Sequence, residues 1–370
     1  MNIVVIGPFY PYRGGISDTN KELCKSLINN GHKVEIINFK LLYPKFLFPG
    51  KTQFHETAEK TNLKSYRIIN TVNPFSWIRV VKKINELKPN LIITTYWTGL
   101  LSPCYYFINK FVSNKTIKIG IIHNVISHEK RLIEKQLLRL YLKGLDKYVT
   151  LSKNVSNQIE KIYKKKNGIK LFHPLPTKFG VKENKIKSKK TLGLNIKDEY
   201  ILFFGLIRKY KGLEVLIKSM PKVLEINPNI KLLIVGENYI SMKKYYQLID
   251  KLNISNSIII KNIFIDNDKI KYWFSSSELV IIPYKKASQS GITSLSFQFE
   301  TPTVSSDIDG LNELIRDNES GYLFNRSSNE LALKINYALS DDRENIINNI
   351  IRIKKELTWD KFINQILKNI

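Results

Sequence analysis

Short apolar runs recur along this chain, each followed by a longer amphipathic stretch. Ile3–Ile6, Val34–Phe39, Leu91–Thr95, Ile117–Ile122 and Tyr148–Leu151 are such runs in the first half. Ile201–Phe204, Lys231–Val235, Ile258–Lys261, Leu279–Ile282 and Thr303–Ser305 repeat the pattern in the second. Runs rich in β-branched residues and bounded by turn residues read as strands buried on both faces. The intervening stretches read as helices. One ends near Asn29, with Ser17 or Asp18 as its cap. Another follows Asn73-Pro74, with Val80, Val81 and Ile84 inward and Arg79, Lys82 and Lys83 outward. Regular strand–helix alternation predicts an α/β protein with parallel sheets. His173-Pro174-Leu175-Pro176 resists helix and marks a crossing between two domains, expected at 1–176 and 177–345. Lys182–Lys190 reads as an exposed linker, Leu41–Lys64 as an irregular connection, and Glu344–Ile370 as a final helix.

Two strand-to-helix turns carry the candidate chemistry. In the first, Ile201–Phe204 ends at Gly205, three cations follow (Arg208, Lys209, Lys211), and Gly212 opens a helix. Ligands of open parallel sheets bind outside the carboxyl ends of the strands, beside helix N-termini. Cations there suit a diphosphate; a solvated basic loop is the plainer alternative. In the second, Leu279–Ile282 leads through a loop of small residues, Ala287-Ser288-Gln289-Ser290-Gly291-Ile292, into a helix over about Thr293–Glu300. Gln289 offers a side-chain hydrogen bond, and Ser290 and Gly291 offer backbone amides. In the first half, Gly14 and Gly15 follow the opening strand, where glycine lets backbone amides approach a ligand. His123 stands at the carboxyl end of Ile117–Ile122. It is a candidate catalytic group there, with a structural histidine as the alternative.

These residues fall into an ordered set. Gly205…Arg208-x-Tyr210-Lys211-Gly212, Thr301-Pro302-Thr303-Val304-Ser305-Ser306-Asp307-Ile308-Asp309-Gly310-Leu311-Asn312-Glu313 and Ser320-Gly321-Tyr322-Leu323-Phe324 resemble the second half of the family 4 retaining glycosyltransferases. Arg13-Gly14-Gly15-Ile16, His123-Asn124-Val125, Ser152-Lys153-Asn154-Val155 and His173-Pro174 resemble the first half. The resemblance implies the GT-B architecture, two Rossmann-like doubly wound domains facing across a cleft. It implies sugar transfer from a nucleotide sugar, with His123 near the transferred sugar and Arg208 and Lys211 on the leaving diphosphate. Gly14, Gly15, Gln289, Ser290, Gly291, Ile292 and Glu313 would then bind the donor. No metal and no cofactor is expected. The tail, 346–370, is expected to pack back on the first domain. One departure stands out. The family's paired glutamates, seven residues apart, would fall on Leu295 and about Ala287, neither acidic. Asp307-Ile308-Asp309 is not expected to bind metal at this place in the pattern.

Charge bears on partners. Lys and Arg number 59 against 32 Asp and Glu, a net charge of +27. Nucleic acid, an anionic membrane surface and a plain compositional bias toward lysine all fit. No zinc-finger spacing or RNA-recognition aromatic motif is present, which disfavours nucleic acid. Arg131–Lys147 reads as a basic amphipathic helix, fit either for an anionic membrane or for a core-facing position with a solvated cationic side. Cys24 and Cys104 are far apart and fit no metal spacing, so a reduced, cytoplasmic setting is expected, peripheral to the inner face of the plasma membrane. Met1-Asn2 runs straight into a strand, and no signal peptide is expected. The uncharged run Leu91–Ile108 is broken by Thr98, Gly99, Ser102 and Pro103 and reads as strand, loop and helix start. The expected activity is transfer to a saccharide or lipid-linked oligosaccharide in bacterial surface polysaccharide assembly. A sugar-nucleotide epimerase of the same fold and a non-enzymatic polyanion or membrane binder are the rivals.

Overall fold

A computed structural model describes the chain except residues 45–51, 55–62, 126–130, 166 and 288–289 and the side chains of residues 131 and 132. Gln289 therefore lies outside the described residues, as does most of the Leu41–Lys64 connection.

The first half forms β1 (Asn2–Ile6), α1 (Gly15–Asn29), β2 (Lys33–Leu41), β3 (Ser65–Asn70), α2 (Pro74–Leu87), β4 (Leu91–Tyr96), α3 (Ser102–Phe111), β5 (Ile117–Ile122), α4 (Arg131–Lys143), β6 (Lys147–Thr150), α5 (Lys153–Ile162) and β7 (Gly168–Lys170). Its sheet is parallel throughout, in the order β3-β2-β1-β4-β5-β6-β7. The second half forms α6 (Lys185–Thr191), β8 (Glu199–Phe204), α7 (Leu213–Ile226), β9 (Ile230–Val235), α8 (Lys243–Lys251), β10 (Ile258–Lys261), α9 (Ile270–Ser275), β11 (Leu279–Ile282), α10 (Gly291–Gln298), β12 (Thr303–Ser306), β13 (Tyr322–Phe324), α11 (Ser328–Ser340) and α12 (Glu344–Glu356). Its parallel sheet runs β10-β9-β8-β11-β12-β13. In each sheet the first strand is central and the order reverses beside it, which defines a topological switch point.

The compact units are Met1–His173 with Trp359–Ile370, and Pro174–Thr358. The tail is two helices rather than one: α12 stays in the second unit, and α13 (Trp359–Lys368) belongs to the first. In the first unit one core lies against α2, α3, α4 and α5, with Val80, Ile84, Tyr105, Ile108, Leu138 and Tyr141 fully buried. The other face is covered by α1 and α13, where Leu23, Cys24 and Leu27 meet Trp359, Phe362, Ile363 and Ile366. Trp359 also donates to Glu22 Oε2 at 2.9 Å, and Ser26 to Asp360 Oδ1 at 2.6 Å.

Central strands coincide with the apolar runs. The edge strands β3, β7 and β13 were not read from the pattern: β3 and β7 are of mixed polarity (Tyr66-Arg67, Gly168-Ile169-Lys170), and β13 is only three residues long. The lysine-rich stretch read as linker contains α6, capped by the Asn184 side chain on the amide of Lys187 at 3.1 Å. Lys189 is buried there, its ammonium donating to the carbonyls of Ile196 and Asp198. Leu91–Ile108 divides into β4, a 3₁₀ turn and the start of α3. Among the described residues no helix is long and apolar enough to cross a membrane.

Candidate active site

In the second unit, β8 ends at Gly205 and the chain turns through Arg208 and a 3₁₀ turn, Lys209–Lys211, into α7. The turn is anchored by backbone bonds from Ile207 to the Glu237 carbonyl (2.9 Å) and from Tyr239 to the Ile207 carbonyl (3.1 Å). Gly212 caps α7 with φ +70°, and a Cβ there would collide with the carbonyl oxygen of Pro283 just beyond β11. Both a left-handed backbone and a close backbone approach thus require glycine. This packing fixes the cationic turn against the loop that follows the neighbouring strand.

The two cations differ in environment. The Arg208 guanidinium stacks 5.0 Å from the centroid of the Tyr239 ring. Lys211 is only 7% exposed, with its ammonium 5.3 Å from the Tyr284 ring centroid. Among the described residues no carboxylate lies within ion-pair distance of it. Burial, and then the nearby Arg208 charge, push its pKa down to about 8. A buried cation without a counter-charge is costly, and an anionic ligand would supply the missing charge.

On the adjacent strand, the Ser290 hydroxyl caps α10 by accepting from the amides of Ile292 (3.2 Å) and Thr293 (3.4 Å). Space around Gly291 is open, since an added Cβ would meet nothing within 4 Å. An added Cβ on Gly205 would sit 3.1 Å from both Lys211 Nζ and Ile292 Cδ1, so the ammonium and Ile292 converge on that glycine. Glu313 lies half-buried in the 309–314 turn after β12, one strand further on. The structure therefore gathers Arg208, Lys211, Ser290, Gly291 and Ile292 around the carboxyl ends of β8 and β11, at the switch point. Leu295 is buried in the hydrophobic core and Ala287 packs partly against it. The positions where the family's glutamates would stand are packing positions here. Nearby Glu300 instead pairs with Lys354 at 3.0 Å. Among the described residues no cluster of His, Cys, Asp and Glu could hold a metal ion.

In the first unit, α1 begins at Gly15, two residues ahead of the expected Ser17 or Asp18 cap, and has no side-chain cap. Gly14 holds φ +118°, which only glycine adopts freely, and its carbonyl accepts from the Asp18 amide at 3.1 Å. The loop between β1 and α1 is held by two buried asparagines that sequence reading missed. Asn38 accepts from the Phe9 amide (3.2 Å) and donates to the Phe9 and Tyr10 carbonyls (3.3 and 2.9 Å). Asn20 donates to the Pro8 carbonyl at 3.0 Å and to Thr95 at 3.2 Å. His123 follows β5, two strands from β1 in sheet order, and is 2% exposed. Burial, reinforced by His173 with its ring 6.3 Å away, pushes its pKa down to about 3. His123 is therefore a neutral imidazole at any physiological pH, suited to hydrogen-bonding a hydroxyl rather than to holding a phosphate.

Two parallel sheets, each with a switch point and with candidate ligand groups at its carboxyl edge, define a two-unit fold of the GT-B class. The chain matches the family described as glycosyl transferases group 1 over residues 184–353, most of the second unit. It is similar to an uncharacterized glycosyltransferase of Methanocaldococcus jannaschii, 25% identical, the match covering 99% of this chain and 96% of that protein. A capsular polysaccharide biosynthesis glycosyltransferase, CapM of Staphylococcus aureus, is 25% identical over 51% of this chain and 49% of its own. Among solved structures, Anabaena HepE in complex with UDP and glucose superposes with a TM-score of 0.75 and 14% identity, covering 100% of both chains.

Proposed function

We propose that this glycosyltransferase moves a hexose from a nucleoside diphosphate sugar to a saccharide or lipid-linked oligosaccharide, with retention and without a metal, as in the family 4 enzymes. The observation that carries this reading is the Arg208–Lys211 turn, fixed by Gly212 at the switch point, with a buried ammonium that has no carboxylate partner among the described residues. HepE, solved with UDP and glucose on the same fold, supports a diphosphate donor. CapM, named for capsular polysaccharide biosynthesis, supports a role in surface polysaccharide assembly.

Cleaving the bond between the anomeric carbon and the diphosphate leaves negative charge on the β-phosphate oxygen. Arg208 meets that charge with a planar pair of donors and Lys211 with a point charge. Fixed donors of this kind contribute about 10²–10³ in turnover, or ~3–4 kcal/mol. Ser290 and Gly291, at the start of α10, supply backbone amides to the donor beside the Ile292 side chain, and Glu313 is assigned to its sugar or ribose hydroxyls. The Gly14–Gly15 turn offers amides from the first unit. His123 acts on a sugar hydroxyl as a neutral hydrogen-bonding group. His123→Ala is expected to lower turnover while nucleotide affinity stays within about twofold; wild-type turnover would return His123 to a structural role.

A thermal-shift panel of UDP, GDP, ADP and CMP, each with magnesium and with a chelator, tests the donor. Ligand at 100 times its Kd stabilises by about 2.7 kcal/mol. A shift with one diphosphate, insensitive to chelator, is expected and names the base. Product analysis without acceptor separates transfer from epimerisation, since only an epimerase would convert the donor alone.

A further inference from the structure

The sequence directs attention to α4 as a membrane-facing helix, but α4 turns Leu138, Tyr141 and Leu142 into the core and, among the described residues, leaves Ile133 as a single exposed apolar side chain. A group of three exposed apolar side chains lies on α2 and α3. Phe75 is 76% exposed, Ile78 56% and Phe111 55%. The two helices are neighbours. The Trp77 and Phe107 rings pack at 5.7 Å, Phe107 and Phe111 at 4.6 Å, and the Ser113 amide donates to Asn85 Oδ1 at 3.0 Å. An aromatic ladder thus joins the apolar start of α2 to the exposed end of α3.

The charge around this patch has one sign. Arg79, Lys82, Lys110 and Lys115 are exposed. The only acid within residues 71–116 is Glu86, itself 3.5 Å from Lys83. Aromatic and aliphatic side chains set singly among lysines match the boundary between lipid headgroups and acyl chains, where rings sit at the headgroup level and basic side chains reach the phosphates. Each such cation contributes about 1 kcal/mol on an anionic leaflet. A patch of this kind forms no groove for a peptide or helix, and its missing acids disfavour a basic or neutral protein partner. We propose that the α2–α3 face seats the protein on an anionic bilayer, with Phe75, Ile78 and Phe111 entering the headgroup boundary and Arg79, Lys82, Lys110 and Lys115 on lipid phosphates. This placement is independent of which sugar or nucleotide is used.

The test is co-sedimentation with phosphatidylglycerol-containing vesicles and with pure phosphatidylcholine vesicles. Wild-type protein is expected to pellet with the anionic vesicles only, and brominated lipid is expected to quench Trp77 emission, a signal lost in Trp77→Phe. The combined variant Phe75→Ser, Ile78→Ser, Phe111→Ser should lose about tenfold or more in partitioning, since it removes the apolar surface that would leave water. Its thermal midpoint and nucleotide-induced shift should hold, because these side chains are exposed. Failure of wild-type protein to bind anionic vesicles overturns the proposal. So does a triple variant that binds as tightly as wild type, which would leave undirected charge as the cause. Light scattering that shows a wild-type dimer and a monomeric triple variant would assign the face to a second copy and overturn it equally.

Discussion

Two turns occupy equivalent places in the two sheets. Each follows the central strand at its switch point, and each enters a helix through a glycine with positive φ, Gly14 at +118° and Gly212 at +70°. The first turn offers backbone only: an added Cβ at Gly14 or Gly15 would meet nothing within 4 Å. The second is packed hard against Pro283 and carries Arg208 and Lys211, each laid against a tyrosine ring. One topology therefore yields an open amide cradle in one unit and a rigid cationic clamp in the other. Glycine serves conformation at the first and close packing at the second.

The largest expected effect lies in the clamp. Arg208→Ala should reduce turnover about 10²–10³-fold while the protein stays folded; near-normal kcat with a native circular dichroism spectrum would remove Arg208 from the chemistry. Gly212→Val breaks the packing that holds the clamp. It places a β-branched side chain at positive φ and against a backbone carbonyl, and should cost at least about 1–3 kcal/mol in a denaturant titration. The same change at Gly14 meets no atoms, so its cost should be only the strain of the backbone, about 1–2 kcal/mol. Equal losses at the two glycines would abolish the distinction drawn between them.

Lys211 sharpens the comparison in a different way. Its folded pKa, about 8, lies below the ordinary lysine value of 10.5. Between these values the unfolded chain holds more protons than the folded one, so stability rises with pH through this window. At neutral pH the buried charge opposes folding, and Lys211→Met should raise the unfolding free energy by ~1–3 kcal/mol while weakening diphosphate binding. In the wild type, a bound diphosphate favours the ammonium form. Nucleotide affinity should therefore hold below about pH 8 and fall above it, by up to about tenfold per pH unit. A titration flat to pH 10 would show that Lys211 does not face the diphosphate. His123, held at about 3, should add no step between pH 5 and 8.

Legibility along the chain followed the same physics. Central strands announce themselves because both faces are buried, and a run such as Leu232–Val235 has no polar side to disguise it. Edge strands β3 and β7 carry Arg67 and Lys170 because one side meets solvent, and the pattern dissolves there. The Arg208–Gly212 clamp was legible because strand, cations and glycine are contiguous. Tyr239 and Tyr284, which orient those cations, were not, because they arrive from the ends of the flanking strands β9 and β11. Strand order is a property of the sheet, and nothing local in the sequence states it. Asn20 and Asn38 were hidden for a related reason: Asn20 sits in the polar run Ser17–Glu22 and Asn38 in an apolar strand, and only their partners in the loop before Gly14 explain them.

The placement of α13 has a consequence for how the protein is made. Trp359, Phe362, Ile363 and Ile366 cover the face of the first sheet that also packs Leu23, Cys24 and Leu27. The first unit is synthesised early, but that face stays open until the whole of Pro174–Thr358 has been translated. At ~5–20 residues per second the wait is roughly 10–40 s. During this interval the nascent chain presents an uncovered apolar sheet face. Native packing of α1 against α13 is completed only after Trp359–Lys368 has been translated.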